Sequence, residues 1–97
     1  MQIANTILKQ LGGNRFIAMT GSKNFIAGKN SLSMKLTRNQ TGANYLRITL
    51  NSMDLYDMEF ISMRGGNMKT KIESKGLYND MLVREFEQQT GLYTKLF

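Results

Sequence analysis

The stretch from Tyr45 to Met63 constrains this chain more than any other. It reads Tyr45-Leu46-Arg47-Ile48-Thr49-Leu50, a polar corner Asn51-Ser52-Met53-Asp54, then Leu55-Tyr56-Asp57-Met58-Glu59-Phe60-Ile61-Ser62-Met63. Both halves alternate apolar and polar side chains, and a period of two marks half-buried strands. The corner between them has the composition of a turn. A β-hairpin is therefore expected at the middle of a small sheet. In its first strand Leu46, Ile48 and Leu50 share one face, and Tyr45, Arg47 and Thr49 the other. In its second, Tyr56, Met58 and Phe60 face inward. Asp57 and Glu59 then face outward, with Leu55, Ile61 and Met63 partly covered beside them.

The flanking sequence supplies more elements. Ile3, Ile7, Leu8 and Leu11 recur at helical spacing, so residues 2–11 read as a short amphipathic helix ended by Gly12-Gly13. A helix of this length is marginal alone and must dock its apolar stripe on the sheet. Asn14 to Gly21 is a short apolar run between turn signals and reads as a strand. Phe25-Ile26-Ala27 reads as a very short strand or a buried turn. Ser31 to Thr37 alternates, with Leu32, Met34 and Leu36 on one face, and residues 38–44 form a polar hairpin loop. After the turn Arg64-Gly65-Gly66-Asn67, Met68 to Lys75 alternates again. There Met68, Thr70 and Ile72 are expected to face in, and Lys69, Lys71, Glu73 and Lys75 out. Tyr78, Met81, Leu82 and Phe86 then recur at helical spacing. They predict a helix over 77–90, stopped by Gly91.

Short connections between consecutive strands imply an antiparallel meander. The expected fold is thus α+β. An antiparallel four- to five-stranded meander sheet carries an N-terminal and a C-terminal helix on one face, as a single domain over residues 1–97.

Composition removes several function classes. The chain has no cysteine, which excludes disulfides, zinc–thiolate sites and thiol nucleophiles. It has no histidine, so the commonest general base and transition-metal ligand is missing, and no Ser–His–Asp or Cys–His site can be built. No apolar run approaches the ~20 residues that a membrane helix needs. Met1 to Leu11 lacks the organisation of a signal peptide, so a soluble, cytoplasmic protein is expected. Eight methionines suggest an adaptable core or a contact surface that can re-pack. Thirteen basic residues against seven acidic give a net charge of +6, which favours an anionic partner.

The candidate chemistry is correspondingly narrow. Asp57 and Glu59, two apart on one strand face, have the spacing of a carboxylate pair that could hold Mg²⁺ with Asp54 or Glu73. Cross-strand pairing with Arg47, Lys69 or Lys71 is the favoured reading of those carboxylates. No catalytic residue, metal site or cofactor is therefore expected. Gly21-Ser22-Lys23-Asn24 and Gly28-Lys29-Asn30 match no phosphate-binding loop motif and read as turns, leaving Lys23 and Lys29 as supplementary anion contacts. For binding nucleic acid or a partner, the candidates are Arg15, Lys23, Lys29, Lys35, Tyr45, Arg47, Lys69 and Lys71. A basic sheet face with an aromatic is a known platform for single strands. One tyrosine is a thin aromatic component, and Asp57 with Glu59 divides the patch. The closing Leu92, Tyr93, Leu96 and Phe97 could dock on a protein partner or pack back on the core.

Leu11 to Phe25, Tyr45 to Leu50, Asp54 to Phe60 and Gly91 to Thr94 carry a resemblance over nearly the whole chain. In these stretches the protein resembles a group of small, largely uncharacterised proteins of phages and other bacterial mobile elements. The resemblance implies a phage-type cytoplasmic protein and brings no catalytic motif. The expected function is non-enzymatic binding of nucleic acid or a nucleoprotein complex. The alternative is a protein–protein inhibitor or adaptor, such as a counter-defence factor that blocks a host machine.

Overall fold

The computed structural model describes residues 2–94. Two helices come first, α1 (Gln2–Leu11) and α2 (Asn14–Thr20). Five strands follow: β1 (Lys23–Ala27), β2 (Ser31–Lys35), β3 (Tyr45–Leu50), β4 (Tyr56–Arg64) and β5 (Asn67–Leu77). A single 3-10 turn, Asn79–Met81, leads into α3 (Leu82–Thr90). The sheet order is β1-β2-β3-β4-β5, with every neighbouring pair antiparallel. The expected meander is thus present, with N-terminal and C-terminal helices against one face. The molecule measures 32 × 32 × 21 Å, the slab that one sheet and one helix layer make.

The alternation in β2, β3 and β4 sorts their side chains as the sequence predicts. Leu32, Met34, Leu46, Ile48, Tyr56, Met58 and Phe60 are all buried in one cluster with the helices. Leu36, just past β2, joins them. From the helix side, Ala4, Ile7 and Leu11 of α1 enter that cluster with Leu82 and Phe86 of α3. Phe25 packs against it from β1, which resolves the Phe25–Ala27 fragment as part of a strand. Burying a side chain of this size contributes about 1.5–3 kcal/mol, so the cluster dominates stability.

Three sequence expectations are corrected. The run from Asn14 is a helix, not a strand. Gly12 and Gly13 take positive φ values of 124° and 61°, which turns the chain sharply between the two helices. Helical geometry then puts Phe16 and Thr20 one turn apart on the buried side. Phe16 meets Phe86 edge to face, with ring centroids 4.9 Å apart. The Thr20 hydroxyl donates to the Phe16 carbonyl at 2.7 Å, and Gly21 closes the helix with its N–H on the Ile17 carbonyl.

Second, Met68 and Thr70 are exposed, and of the expected inward set on β5 only Ile72 packs on the core. A bulge is responsible. Phe60 pairs with Ile72 but Ile61 pairs with Thr70, so Lys71 is an extra residue. One extra residue flips every side chain beyond it to the other face. Third, β5 runs on to Leu77, and Tyr78 and Met81 are exposed rather than seated in a helix stripe. Only Leu82 and Phe86 of that set are buried.

The C-terminal stretch divides. Leu92 packs on the core, whereas Tyr93 is 72% exposed. Thr94 is buried and donates both its N–H and its hydroxyl to the Glu87 carboxylate, at 2.9 and 3.0 Å. Leu96 and Phe97 lie outside the described residues. No described helix is long and apolar enough to cross a membrane.

Candidate functional site

The helices cover one face of the sheet, and the other face carries the outward residues of all five strands. Their registers line up in rows. In one row Lys23 lies opposite Lys35, Lys35 opposite Tyr45, Tyr45 opposite Ile61 and Ile61 opposite Thr70. The next row runs Ile26, Ser33, Arg47, Glu59, Glu73. Asp57 lies one pair further on, opposite Thr49.

The two rows treat like charges differently. Glu59 and Glu73 face each other, a destabilising arrangement if left alone. Each has a cation: Arg47 Nε lies 3.0 Å from Glu59, and Lys75 Nζ 3.9 Å from Glu73. Lys23 and Lys35 also face each other, and among the described residues no carboxylate pairs with either. The remaining carboxylates near the sheet are used internally. Asp57 accepts from Asn51 and from the Gly76 N–H, and Glu85 accepts from Ser74 and Gln89. The result is a polarised surface. Lys23, Lys35, Arg64 and Lys69, none with an ion-pair partner among the described residues, gather at the end of the sheet holding the Tyr45 row and the β4–β5 turn. Asp57, Glu59 and Glu73 lie toward the opposite end, each neutralised or hydrogen-bonded.

Of the expected binding residues, Lys23, Lys35 and Tyr45 come together in one row. Lys69 and Lys71 are exposed on β5, Lys71 in the bulge and Lys69 opposite Ser62, so that the bulge turns Lys69 to the face opposite Tyr45 rather than the outer face expected for it. Arg47 is on the face but committed to Glu59. Arg15 sits on α2, in the helix layer. Lys29 occupies the β1–β2 turn, whose Asn30 carbonyl accepts from the Leu50 N–H, at the opposite end of the sheet from Lys23. Neither belongs to the cluster.

Beside Lys23, Lys35 and Tyr45 lies an apolar strip. Ile61 is 3% exposed although it lies on the face without helices. A shallow groove of about 190 Å³ over it is walled by Ile26, Tyr45, Arg47, Met63 and Met68. Met68 and Ile26 are 60% and 59% exposed. The strip is invisible to alternation alone, because the bulge at Lys71 decides that Met68 joins Met63 on this face.

Two further cations belong to the same end of the sheet. Arg38, in the β2–β3 connection, and Arg64, at the end of β4, line one groove. Both belong to the basic residues of the sequence, but a reading of strand faces does not bring them together. The described residues contain no group of three or more carboxylates that could hold a metal ion. Every buried side-chain nitrogen and oxygen among them has a hydrogen-bond partner. Comparison with family models, with curated proteins and with solved structures finds no match.

Proposed function

We propose that this chain is a non-enzymatic binding protein whose ligand is nucleic acid, alone or in a nucleoprotein complex. The observation that carries the reading is the uncompensated Lys23–Lys35 pair beside Tyr45. Two like charges set opposite each other cost stability, and a polyanion relieves that cost while gaining two charge contacts. Tyr45 offers a ring on which a base can stack next to those phosphate contacts. Lys69, Lys71 and Arg64 extend the positive field across the same end of the molecule and steer an anionic ligand to it. The resemblance to phage and mobile-element proteins supports a bacterial cytoplasm as the setting.

Fluorescence-anisotropy titration with single- and double-stranded DNA and RNA tests the reading. Binding is expected at low salt, with log K falling linearly as log salt rises. Lys23→Gln with Lys35→Gln is expected to weaken it by at least tenfold. Absence of binding at low salt would end the proposal.

One observation favours a second reading, a protein–protein inhibitor or adaptor. The Ile26, Met63 and Met68 strip is apolar, adaptable and exposed, qualities of a surface that re-packs on a protein. Capture of one host protein that survives nuclease treatment, and is lost in Met63→Ser with Met68→Ser, distinguishes it from the first.

A further inference from the structure

The structure also points to where a single phosphate would be gripped. A groove of about 260 Å³ lies between the β2–β3 connection and the end of β4. Arg38 from the connection and Arg64 from β4 both line it, together with Leu36 and Ala43, which are buried. Among the described residues no carboxylate lines the groove, and neither arginine has an ion-pair partner.

Both segments are held stiffly by side-chain-to-backbone hydrogen bonds. In the connection, Asn39 Nδ2 donates to the Thr37 carbonyl at 2.8 Å and to the Ala43 carbonyl at 2.9 Å. Asn39 Oδ1 accepts from the Thr41 N–H at 3.0 Å and from the Thr41 hydroxyl, whose oxygen accepts from the Ala43 N–H at 2.9 Å. On the β4 side, Asn44 Oδ1 accepts from the Met63 N–H and Asn44 Nδ2 donates to the Met63 carbonyl, both at 2.8 Å. That pair ties the residue before Arg64 to the residue that ends the connection. The two guanidinium groups therefore rise from frames that are fixed to each other.

We infer that Arg38 and Arg64 form a clamp for one phosphate group of a nucleic-acid strand, with the sugar of that nucleotide resting on Leu36 and Ala43. This rests on the nucleic-acid reading above and deepens it. Arginine suits the role, because its planar fork matches phosphate oxygens in pairs and holds its charge at any relevant pH. Fixed mounting lowers the ordering cost of binding, and the apolar lining gives the sugar a contact that water does not compete for.

Two measurements test the clamp. The first is an NMR titration of the whole chain with inorganic phosphate. Shifts confined to the amides of residues 37–44 and 63–65 are expected. Shifts spread evenly over the lysine-bearing strands, or none, would overturn the groove as an anion site. The second is the salt dependence of binding to a single-stranded oligonucleotide for Arg38→Gln, Arg64→Gln and the double variant. Each contact to one phosphate of a single strand contributes about 0.7 to the slope. Each single variant is expected to leave the slope nearly unchanged, because the remaining arginine still neutralises the phosphate, and the double to lose about 0.7. A loss of about 0.7 in each single variant, adding to about 1.4 in the double, would show two separate phosphates and refute the clamp, as would an unchanged slope in the double. Both side chains are exposed, so thermal unfolding is expected to be unaltered. If the unaltered chain binds no oligonucleotide, the nucleic-acid reading fails while the phosphate titration still decides the groove.

Discussion

Asn44 does with its side-chain amide what a strand residue does with its backbone. It exchanges two hydrogen bonds with Met63, extending the β3–β4 ladder past the point where β3 begins. Asn44→Ala removes both. A net contribution of about 0.5–1.5 kcal/mol per bond gives an expected loss of about 1–3 kcal/mol. For a domain of this size that lowers Tm by roughly 4–24 °C, readable by calorimetry. Gly21 is a second sensitive residue. Its φ of 68° is left-handed, and a Cβ there would lie 2.8 Å from Thr37 Cγ2. Gly21→Ala is expected to cost about 1–2 kcal/mol from the backbone and more from the clash. Thr37→Ser removes that methyl group and keeps the hydroxyl that donates to the Thr20 carbonyl. The double variant should therefore regain part of the lost stability in a denaturant titration, and no recovery would locate the whole cost in the backbone.

Among the elements, β5 shows most clearly how a local irregularity reassigns a whole face. Met58 and Met68 both sit at alternating positions and look equivalent as sequence. Met58 is fully buried and Met68 is 60% exposed, because the extra residue at Lys71 shifts the register between them. Met58→Ala is expected to destabilise by about 2–5 kcal/mol. Met68→Ala is expected to stay within about 0.5 kcal/mol of the parent. Chemical denaturation of the two variants separates the bulged register from an unbroken alternation, which would make the losses similar. A second bulge in β5 lies between the Tyr56–Leu77 and Met58–Ser74 pairs, where the Gly76 N–H donates to the Asp57 carboxylate at 3.0 Å. With the exposed Lys69, Lys71 and Lys75, these bulges blunt an edge of eleven residues against pairing with another sheet.

At the scale of the whole molecule, charge is separated along the strands rather than spread evenly. The separation makes the Lys23–Lys35 pair costly to the free protein and useful to the bound one. Lys23→Thr should therefore stabilise the unliganded chain slightly at low salt, by about 0.2–0.5 kcal/mol, while weakening nucleic-acid binding. The same variant at high salt should show a smaller stability gain, because screening already weakens the repulsion. Loss of stability on this substitution, at either salt, would mean that Lys23 makes a favourable contact and that the pair is not a reserved anion site.

By itself, the sequence determined the class of the fold and the inner faces of β2, β3 and β4. Period-two alternation is dictated by strand backbone geometry, so Leu46, Ile48, Met58 and Phe60 could face only one way together. The helical spacing in residues 2–11 was legible for the same kind of reason. Tertiary structure decided what periodicity does not encode. Asn14–Thr20 carries its apolar residues as one unbroken run, Phe16 to Met19, which shows no period, and it is helical because that shape delivers Phe16 to Phe86 between two glycine-permitted turns. Register is a relation between strands and is written in none of them alone. That is why Lys23 facing Lys35, Met68 joining Met63, and Arg38 meeting Arg64 across one groove emerge only when the chain is folded.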